Sequence, residues 1–206
     1  SNFSIDLDYG RFDRESDQLQ PNTYYEADRT TVIEQNDYHA ITPIGIDIYS
    51  FKADYDLPLW GGKLSTGVKS RRVVTDNQYA FYELMPVGEI LDFSRSNDFL
   101  YDEWVNAGYF QYQTQKGKWG YQLGLRAEYT ISEGELKDLE GNMLKNTPRD
   151  YLDFFPSAGV SYAPSRSHSW NFNYSRRIDR PNYQDLNPFE FKLSELSFRQ
   201  GNAFLN

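Results

Sequence analysis

Cysteine is absent from the 206-residue chain, and so is any long apolar run. Without cysteine, a disulfide-held secreted scaffold, a thiolate metal site and cysteine catalysis are all excluded. No window approaches about 18 consecutive apolar residues, which excludes a transmembrane helix. Basic residues are in the minority, since 21 Lys and Arg against 30 Asp and Glu give a net charge of −9. This balance argues against a nucleic-acid partner, because clustered positive charge is what binds a phosphate backbone.

Aromatic residues, in contrast, are abundant. The chain has 17 Tyr, 14 Phe and 4 Trp, which is 17% of its residues, although only 39% are hydrophobic and the mean hydropathy is −0.74. Disordered chains are poor in aromatic residues, whereas Tyr and Phe favour strands. The composition therefore predicts an ordered protein built from β-strands.

Several segments alternate between apolar and polar residues with a period of two. The clearest is 119–131, and the segments 3–9, 49–57 and 170–175 follow the same pattern. Strict alternation is typical of a strand that buries one face and exposes the other to water. These segments are therefore predicted to be strands with one apolar and one polar face.

Turn residues between these segments divide the chain into a meander of about seven strands. The expected strands are 2–12, 44–57, 63–82, 99–113, 119–131, 150–163 and 169–179. Three connections are short and built from turn residues, namely 58–62, 115–118 and 164–168. Short and long connections alternate strictly, so all short turns are expected at one edge of an antiparallel meander and all long loops at the other.

This lopsided arrangement is typical of a bacterial outer-membrane barrel. Such a strand crosses the membrane with about 9–11 residues when tilted by roughly 45°. Trp60, Trp119 and Trp170 lie at or next to the short turns, where aromatic residues mark a membrane interface. The sequence therefore predicts an all-β, antiparallel up-and-down meander that forms part of a large transmembrane β-barrel.

A soluble β-sandwich that binds carbohydrate through its acidic loops is an alternative, since its strands alternate in the same way. Two features disfavour it. The apolar faces are strongly aromatic and hold little Ile, Val or Leu, the residues that fill most sandwich cores. A meander with two open edges would also invite edge pairing in an isolated protein.

The alternation assigns residues to the two faces of the barrel wall. Residues expected to face lipid are Tyr49, Phe51, Leu123, Leu125 and Phe172. Residues expected to face the lumen, where they would hydrate the channel or contact a plug, are Lys52, Asp54, Arg126 and Glu128.

The stretch YSRRIDRPNYQDLNPFEF at 174–191, followed by GNAFL at 201–205, resembles the C-terminal barrel segment of TonB-dependent outer-membrane receptors of the Bacteroidetes type. Those sequences carry YSRRI-x-RP-x-Y-x-x-LNPF and then GNP-x-L, and Ala203 stands here in place of the proline. Upstream segments that look like consecutive strands of the same family are 46–59, 75–82, 119–130 and 151–165.

The resemblance implies a barrel of about 22 strands closed around an N-terminal plug. It also implies import of a scarce nutrient, such as a siderophore, cobalamin, glycan or peptide, with energy relayed by TonB. Residues 1–206 are then expected to form a partial barrel domain without the plug, the TonB-contacting segment and the remaining strands. Expected partners are outer-membrane lipid, the protein's own plug, TonB and the nutrient. Neither enzymatic activity nor a cofactor is expected, and a non-transporting barrel for adhesion or assembly remains an alternative.

The motif itself is expected to lie at the outer rim, with its arginines paired to acidic groups or lipid head groups. Its prolines cannot donate to a strand ladder, so they should end regular pairing. A structural clamp is preferred to a substrate contact. The residues of this outer-rim motif are Arg176, Arg177, Arg180, Pro181, Asn187 and Pro188.

Metal and catalytic chemistry find little support in the sequence. His39 and His168 fall in a long loop and a short turn at opposite edges of the meander, so they are not expected to share a site. Asp6, Asp8 and Asp17 have the spacing of three calcium-loop positions. The glycine of that loop is misplaced, however, and the segment alternates like a strand. A solvated or lumen-facing role is therefore expected for these acids.

Overall fold

The computed structural model describes residues 1–165, 167–180, 183–187, 190–194 and 197–202. These residues form twelve strands, a short 3-10 turn at Phe93–Arg95 and a one-turn helix α1 at Tyr183–Leu186. The strands are β1 (Asn2–Gln20), β2 (Thr23–Tyr25), β3 (Val32–Gln35), β4 (Asp37–Leu59), β5 (Gly62–Met85), β6 (Gly88–Leu91), β7 (Asn97–Lys116), β8 (Trp119–Lys137), β9 (Met143–Ser165), β10 (His168–Ser175), β11 (Glu190–Ser194) and β12 (Ser197–Gln200).

Seven long strands form one antiparallel sheet in the order β1-β4-β5-β7-β8-β9-β10, and β6 pairs with the end of β5. Each long strand therefore pairs with the next one along the chain. The sheet curls like half of a barrel. The predicted all-β antiparallel meander of seven strands is confirmed, and the short β2-β3 and β11-β12 hairpins pair separately from it.

The two ends of the sheet differ as predicted. The short turns β4-β5, β7-β8 and β9-β10 lie at one end, called here the inner end, and the longer connections lie at the other, the outer end. In the β4-β5 turn, Trp60 and Gly61 both take left-handed φ angles, 49° and 73°. Two positive φ angles in a row suit the twist of a two-residue hairpin, so this turn holds the adjacent strands in register.

The strands extend further toward the outer end than the sequence pattern predicted. β1 continues to Gln20 instead of 12, β4 begins at Asp37 instead of 44, and β9 begins at Met143 instead of 150. Backbone pairing continues there, but in β1 and at the start of β9 mostly polar residues occupy both faces, so the alternation in hydropathy fades. The last strand of the sheet is shorter than predicted and ends at Ser175 instead of 179.

The concave face of the curl is identified by burial and register. In β9, the odd-numbered residues from 145 to 161 are half-buried and their even-numbered neighbours are exposed, so the odd ones point into the curl. Asp153 lies opposite Glu128, Glu128 opposite Ala107, and Ala107 opposite Lys69. Because paired residues share a face, register extends the assignment across the sheet.

The convex face carries a continuous apolar band. All five residues predicted to face lipid lie on it: Tyr49, Phe51, Leu123, Leu125 and Phe172. Leu123 is 59% exposed and Phe172 is 76% exposed. Over the described residues no second layer covers this face, whereas a sandwich would bury it beneath another sheet.

A small aromatic core holds the outer end of the concave face together. Tyr38, Tyr79 and Phe81 are buried and pack against one another, with the Tyr38 and Phe81 ring centroids 5.1 Å apart. The Arg95 guanidinium lies 5.4 Å from the Phe81 ring centroid, where cation–π attraction adds to the packing. This core explains how the strands can stay ordered beyond the apolar band.

Gly67 lies on the concave face and Gly108 on the convex face, so the two glycines form a matched pair for testing how tightly each face is packed. A Cβ at Gly67 would lie 2.7 Å from the Ala53 carbonyl oxygen and 2.6 Å from an Asp54 carboxylate oxygen, whereas a Cβ at Gly108 would meet nothing within 4 Å. Gly67→Ala should therefore lower the free energy of unfolding by about 1–3 kcal/mol. Gly108→Ala should be neutral or slightly stabilising. Urea unfolding of both variants in lipid vesicles checks this, and equal effects would contradict it.

Candidate functional site

Charged side chains cross the concave face in rows set by the strand register. One row contains Lys52, Lys69, Glu128 and Asp153. The next row toward the inner end contains Asp54 and Arg126. All four residues predicted to face a lumen, Lys52, Asp54, Arg126 and Glu128, therefore lie on the concave wall.

Two ion pairs on this wall join neighbours two residues apart, which lie on the same face of a strand. Lys52 forms an ion pair with Asp54 on β4, and the Tyr109 hydroxyl donates to the same carboxylate from β7. On β8, Arg126 Nε donates to Glu128 Oε1. The wall thus carries many charges that are already neutralised by their neighbours.

The chain turns onto this wall directly after β10. The Arg176 backbone N–H still donates to the Pro156 carbonyl at 3.1 Å, as the next step of the ladder would. Its side chain, however, reaches the concave side, where Nη1 donates to the Phe154 carbonyl at 3.1 Å and Nη2 lies 3.6 Å from Asp153 Oδ1. The segment after Ser175 therefore leaves the sheet and folds inward.

Arg180 makes the central contact of this inward segment. Its Nη2 donates to Glu128 Oε2 at 2.7 Å and its Nε donates to the Tyr151 hydroxyl at 3.1 Å. Glu128 is only 8% exposed and accepts from Arg126 as well. Two guanidinium groups thus share one carboxylate, an arrangement in which charge-assisted hydrogen bonds fix both orientation and register.

The other motif residues are placed differently. The Arg177 side chain is exposed, and Asn187 is buried, with its carbonyl accepting from the Gly201 N–H at 2.9 Å. Pro181 and Pro188 lie outside the described residues. The sequence predicts motif arginines at the outer rim, paired with acidic groups or lipid head groups. In the structure Arg176 and Arg180 contact acidic groups, Asp153 and Glu128, and these lie on the concave wall.

A cleft of about 560 Å³ lies between the inward segment and the wall. Side chains lining it include Tyr101, Glu103, Arg149, Tyr151, Ile178 and Leu186. Burial raises the pKa of Tyr101 to about 12, so its hydroxyl stays protonated and can donate. The sequence does not predict these lining residues, because those on β7 and β9 alternate like any other strand residue and the cleft forms only when the segment after β10 folds onto them.

An aromatic row ends the apolar band toward the outer end. The Tyr9 hydroxyl donates to Asp47 at 2.8 Å, and the Tyr129 hydroxyl donates to Asp150 at 3.1 Å. Trp104 Nε1 donates to Ser70 Oγ at 2.7 Å on the same level. Rings that face an apolar layer while their polar atoms bind hydrophilic groups are typical of a membrane interface.

A second aromatic row lies at the inner end. Trp119 stacks on Tyr162 with ring centroids 4.3 Å apart, and Trp170 meets the edge of Tyr162. On β4, ten residue steps separate Tyr49 from Leu59, which is ~33 Å of strand and ~23 Å of height at a tilt near 45°. That height fits the apolar band of about 25 Å on outer-membrane barrels.

A single curled antiparallel sheet with this band outside and paired charges inside is the wall of a transmembrane β-barrel. The chain matches the outer membrane protein beta-barrel family over residues 1–206 and belongs to that family. It is therefore an outer-membrane protein, as predicted, and the soluble sandwich alternative is wrong. No curated protein matches its sequence. None of the helices in the described part of the chain is long and apolar enough to span a membrane.

Two acidic loop residues stabilise turns at the outer end. Asp138 Oδ1 accepts from the backbone N–H groups of Glu140 and Asn142 at 3.0 and 2.8 Å. Hydrogen bonds from Asn142 and from the backbone hold the pKa of Asp138 below its ordinary value. In the other turn, Asp28 Oδ1 accepts hydrogen bonds from the backbone N–H groups of Thr30 and Thr31. These carboxylates therefore have partners within their own turns, which they stabilise.

Proposed function

We propose that this chain forms part of the barrel wall of a TonB-dependent receptor that imports a scarce nutrient. The observation that supports this most is the concave wall, where paired charges and the inward segment from Arg176 to Arg180 line the interior. Such a wall suits a hydrated lumen that accommodates a plug and a polar solute. The YSRRIDRP-type motif supports the same class by resemblance.

The proposal assigns partners to the two faces. The convex band contacts outer-membrane lipid, and the concave wall contacts the plug domain of the same protein. TonB acts through a segment outside this chain, and the nutrient belongs to one of four classes: siderophores, cobalamin, glycans or peptides. The wall takes part in binding and passage of the nutrient and performs no reaction, so neither enzymatic activity nor a cofactor is proposed.

An uptake comparison tests the proposal. Cells that lack the intact gene and cells that lack TonB would each be given labelled members of the four nutrient classes. We expect accumulation of one class to fall to background in both strains and to return when the intact gene is restored. If the deletion leaves all four uptakes unchanged and instead removes surface attachment, the protein is a non-transporting barrel.

A further inference from the structure

A histidine at the outer end lies between two carboxylates from different strands. His39 is on β4, ten residues beyond Tyr49 of the aromatic row, and thus well outside the apolar band. Its Nε2 lies 2.8 Å from Asp17 Oδ1 on β1. Its Nδ1 lies 3.1 Å from Glu89 Oε1 on β6 and 3.2 Å from the other oxygen of that carboxylate. One imidazole therefore connects an edge strand of the sheet to the β5-β6 hairpin.

The protonation state of the ring decides whether both contacts can exist together. A carboxylate oxygen can only accept a hydrogen bond, and a neutral imidazole carries a single N–H donor. The imidazolium carries two N–H donors on opposite sides of the ring. In the neutral form, one ring nitrogen would turn its lone pair toward a carboxylate, which repels it. Only the charged form of His39 satisfies Asp17 and Glu89 at once.

The surroundings of His39 favour the charged form. Acidic groups face it from three strands: Asp17 on β1, Asp37 two residues earlier on β4, and Glu89 on β6. The ring centroids of Tyr82 on β5 and His39 are 5.8 Å apart. Among the described residues, no Lys or Arg pairs with the carboxylates of Asp17 and Glu89. Burial lowers the pKa of His39, but the hydrogen bonds to Asp17 and Glu89 outweigh it and raise the pKa above its ordinary value near 6.5.

We propose that His39 is a proton-dependent clasp that holds strand β6, the outer arm of the β5-β6 hairpin, toward strand β1 when the imidazole is charged and releases β6 when it is neutral. Because the pKa is raised in the folded protein, the clasp is fully formed below the ordinary histidine pKa. It is lost as the pH rises through the raised value. β1 stays attached in both states, because its ladder with β4 runs from Asn2 to Gln20, whereas β6 pairs only with the end of β5.

A distance measurement across the clasp tests this directly. The chain has no cysteine, so spin labels can be placed on Ser16→Cys in β1 and Val87→Cys at the hairpin tip, where both side chains are exposed. The intact protein in lipid nanodiscs would be measured between about pH 5 and about pH 9, which brackets the imidazole titration. We expect a narrow label–label distance distribution at low pH that broadens at high pH, with a midpoint above 6.5.

Three substitutions separate the clasp from a general effect of pH. His39→Gln offers an amide that cannot donate from opposite sides, so the distribution should be broad at every pH. His39→Lys keeps a charged group with three donors and should keep the distribution narrow through the whole range. His168→Gln, at the start of β10 next to the β9-β10 turn at the inner end, should behave like the unaltered protein. A pH-independent distribution in the unaltered protein, or a transition that survives His39→Gln, would overturn the proposal.

Discussion

Replacing Leu125 by arginine should lower the free energy of unfolding in lipid by about 2–4 kcal/mol, the cost of a cation near the midplane of an outer-membrane barrel. Leu125 lies on the convex face, about halfway between Trp119 of the inner aromatic row and Ile131, which lies opposite Trp104 of the outer row. An arginine side chain at that depth can reach neither interface without distorting the bilayer. Urea unfolding in vesicles of defined lipid measures the effect.

The matched control is Gln122→Arg. Gln122 lies on the same strand only three residues away, but on the concave face opposite Gly159. A cation there meets water and other polar groups, so the free energy of unfolding should change by less than about 0.5 kcal/mol. Similar losses for both variants would mean that the two faces have been assigned incorrectly.

Neutralising Glu128 should release the inward segment from the wall. In Glu128→Gln the carboxylate that Arg126 and Arg180 share is removed, and both guanidinium groups lose a charged acceptor. A hydrogen bond to a charged group contributes about 1.5–3 kcal/mol, and a loss near 2 kcal/mol corresponds to roughly a thirtyfold larger open population. Trypsin should then cleave after Arg176 or Arg177 about thirty times faster, because cleavage follows the open form.

Two further variants make this result specific. Glu133→Gln alters an acid on the same strand but on the convex face, where it accepts from Asn146, and it should leave the cleavage rate unchanged. Arg180→Met should raise the rate at Arg176 as much as Glu128→Gln does, and the double variant should add little. Independent, additive effects would show that Glu128 and Arg180 do not act as a pair.

The sequence predicts the membrane-spanning part of this fold well because two solvents act on it at once. Lipid on one side and water on the other impose a period of two, so the alternation alone puts Leu123 and Leu125 on one face and Arg126 and Glu128 on the other. The turn residues likewise indicate at which end of each strand the connection to the next strand is short. The same constraint explains the aromatic rows, since only two heights along the strand suit an amphipathic ring.

Two other features could not be read from the sequence, for physical reasons. Beyond the apolar band lipid no longer covers the convex face, so the residue pattern does not show that β4 already begins at Asp37 or that His39 lies on a strand. The contact between Arg180 and Glu128 joins residues 52 positions apart. Which carboxylate a loop arginine reaches depends on how the sheet curls, and many acids were available to it.

The outer extension of the strands changes what an approaching molecule meets first. From Tyr49 to Asp37, β4 rises another twelve residues, which is ~40 Å of strand and ~28 Å of height at the same tilt. The sheet therefore extends beyond the apolar band by about the height of the band itself, into the water outside the membrane. Antibodies, phages and scavenged solutes would therefore meet the long connections at the outer end of the sheet before they could reach the bilayer.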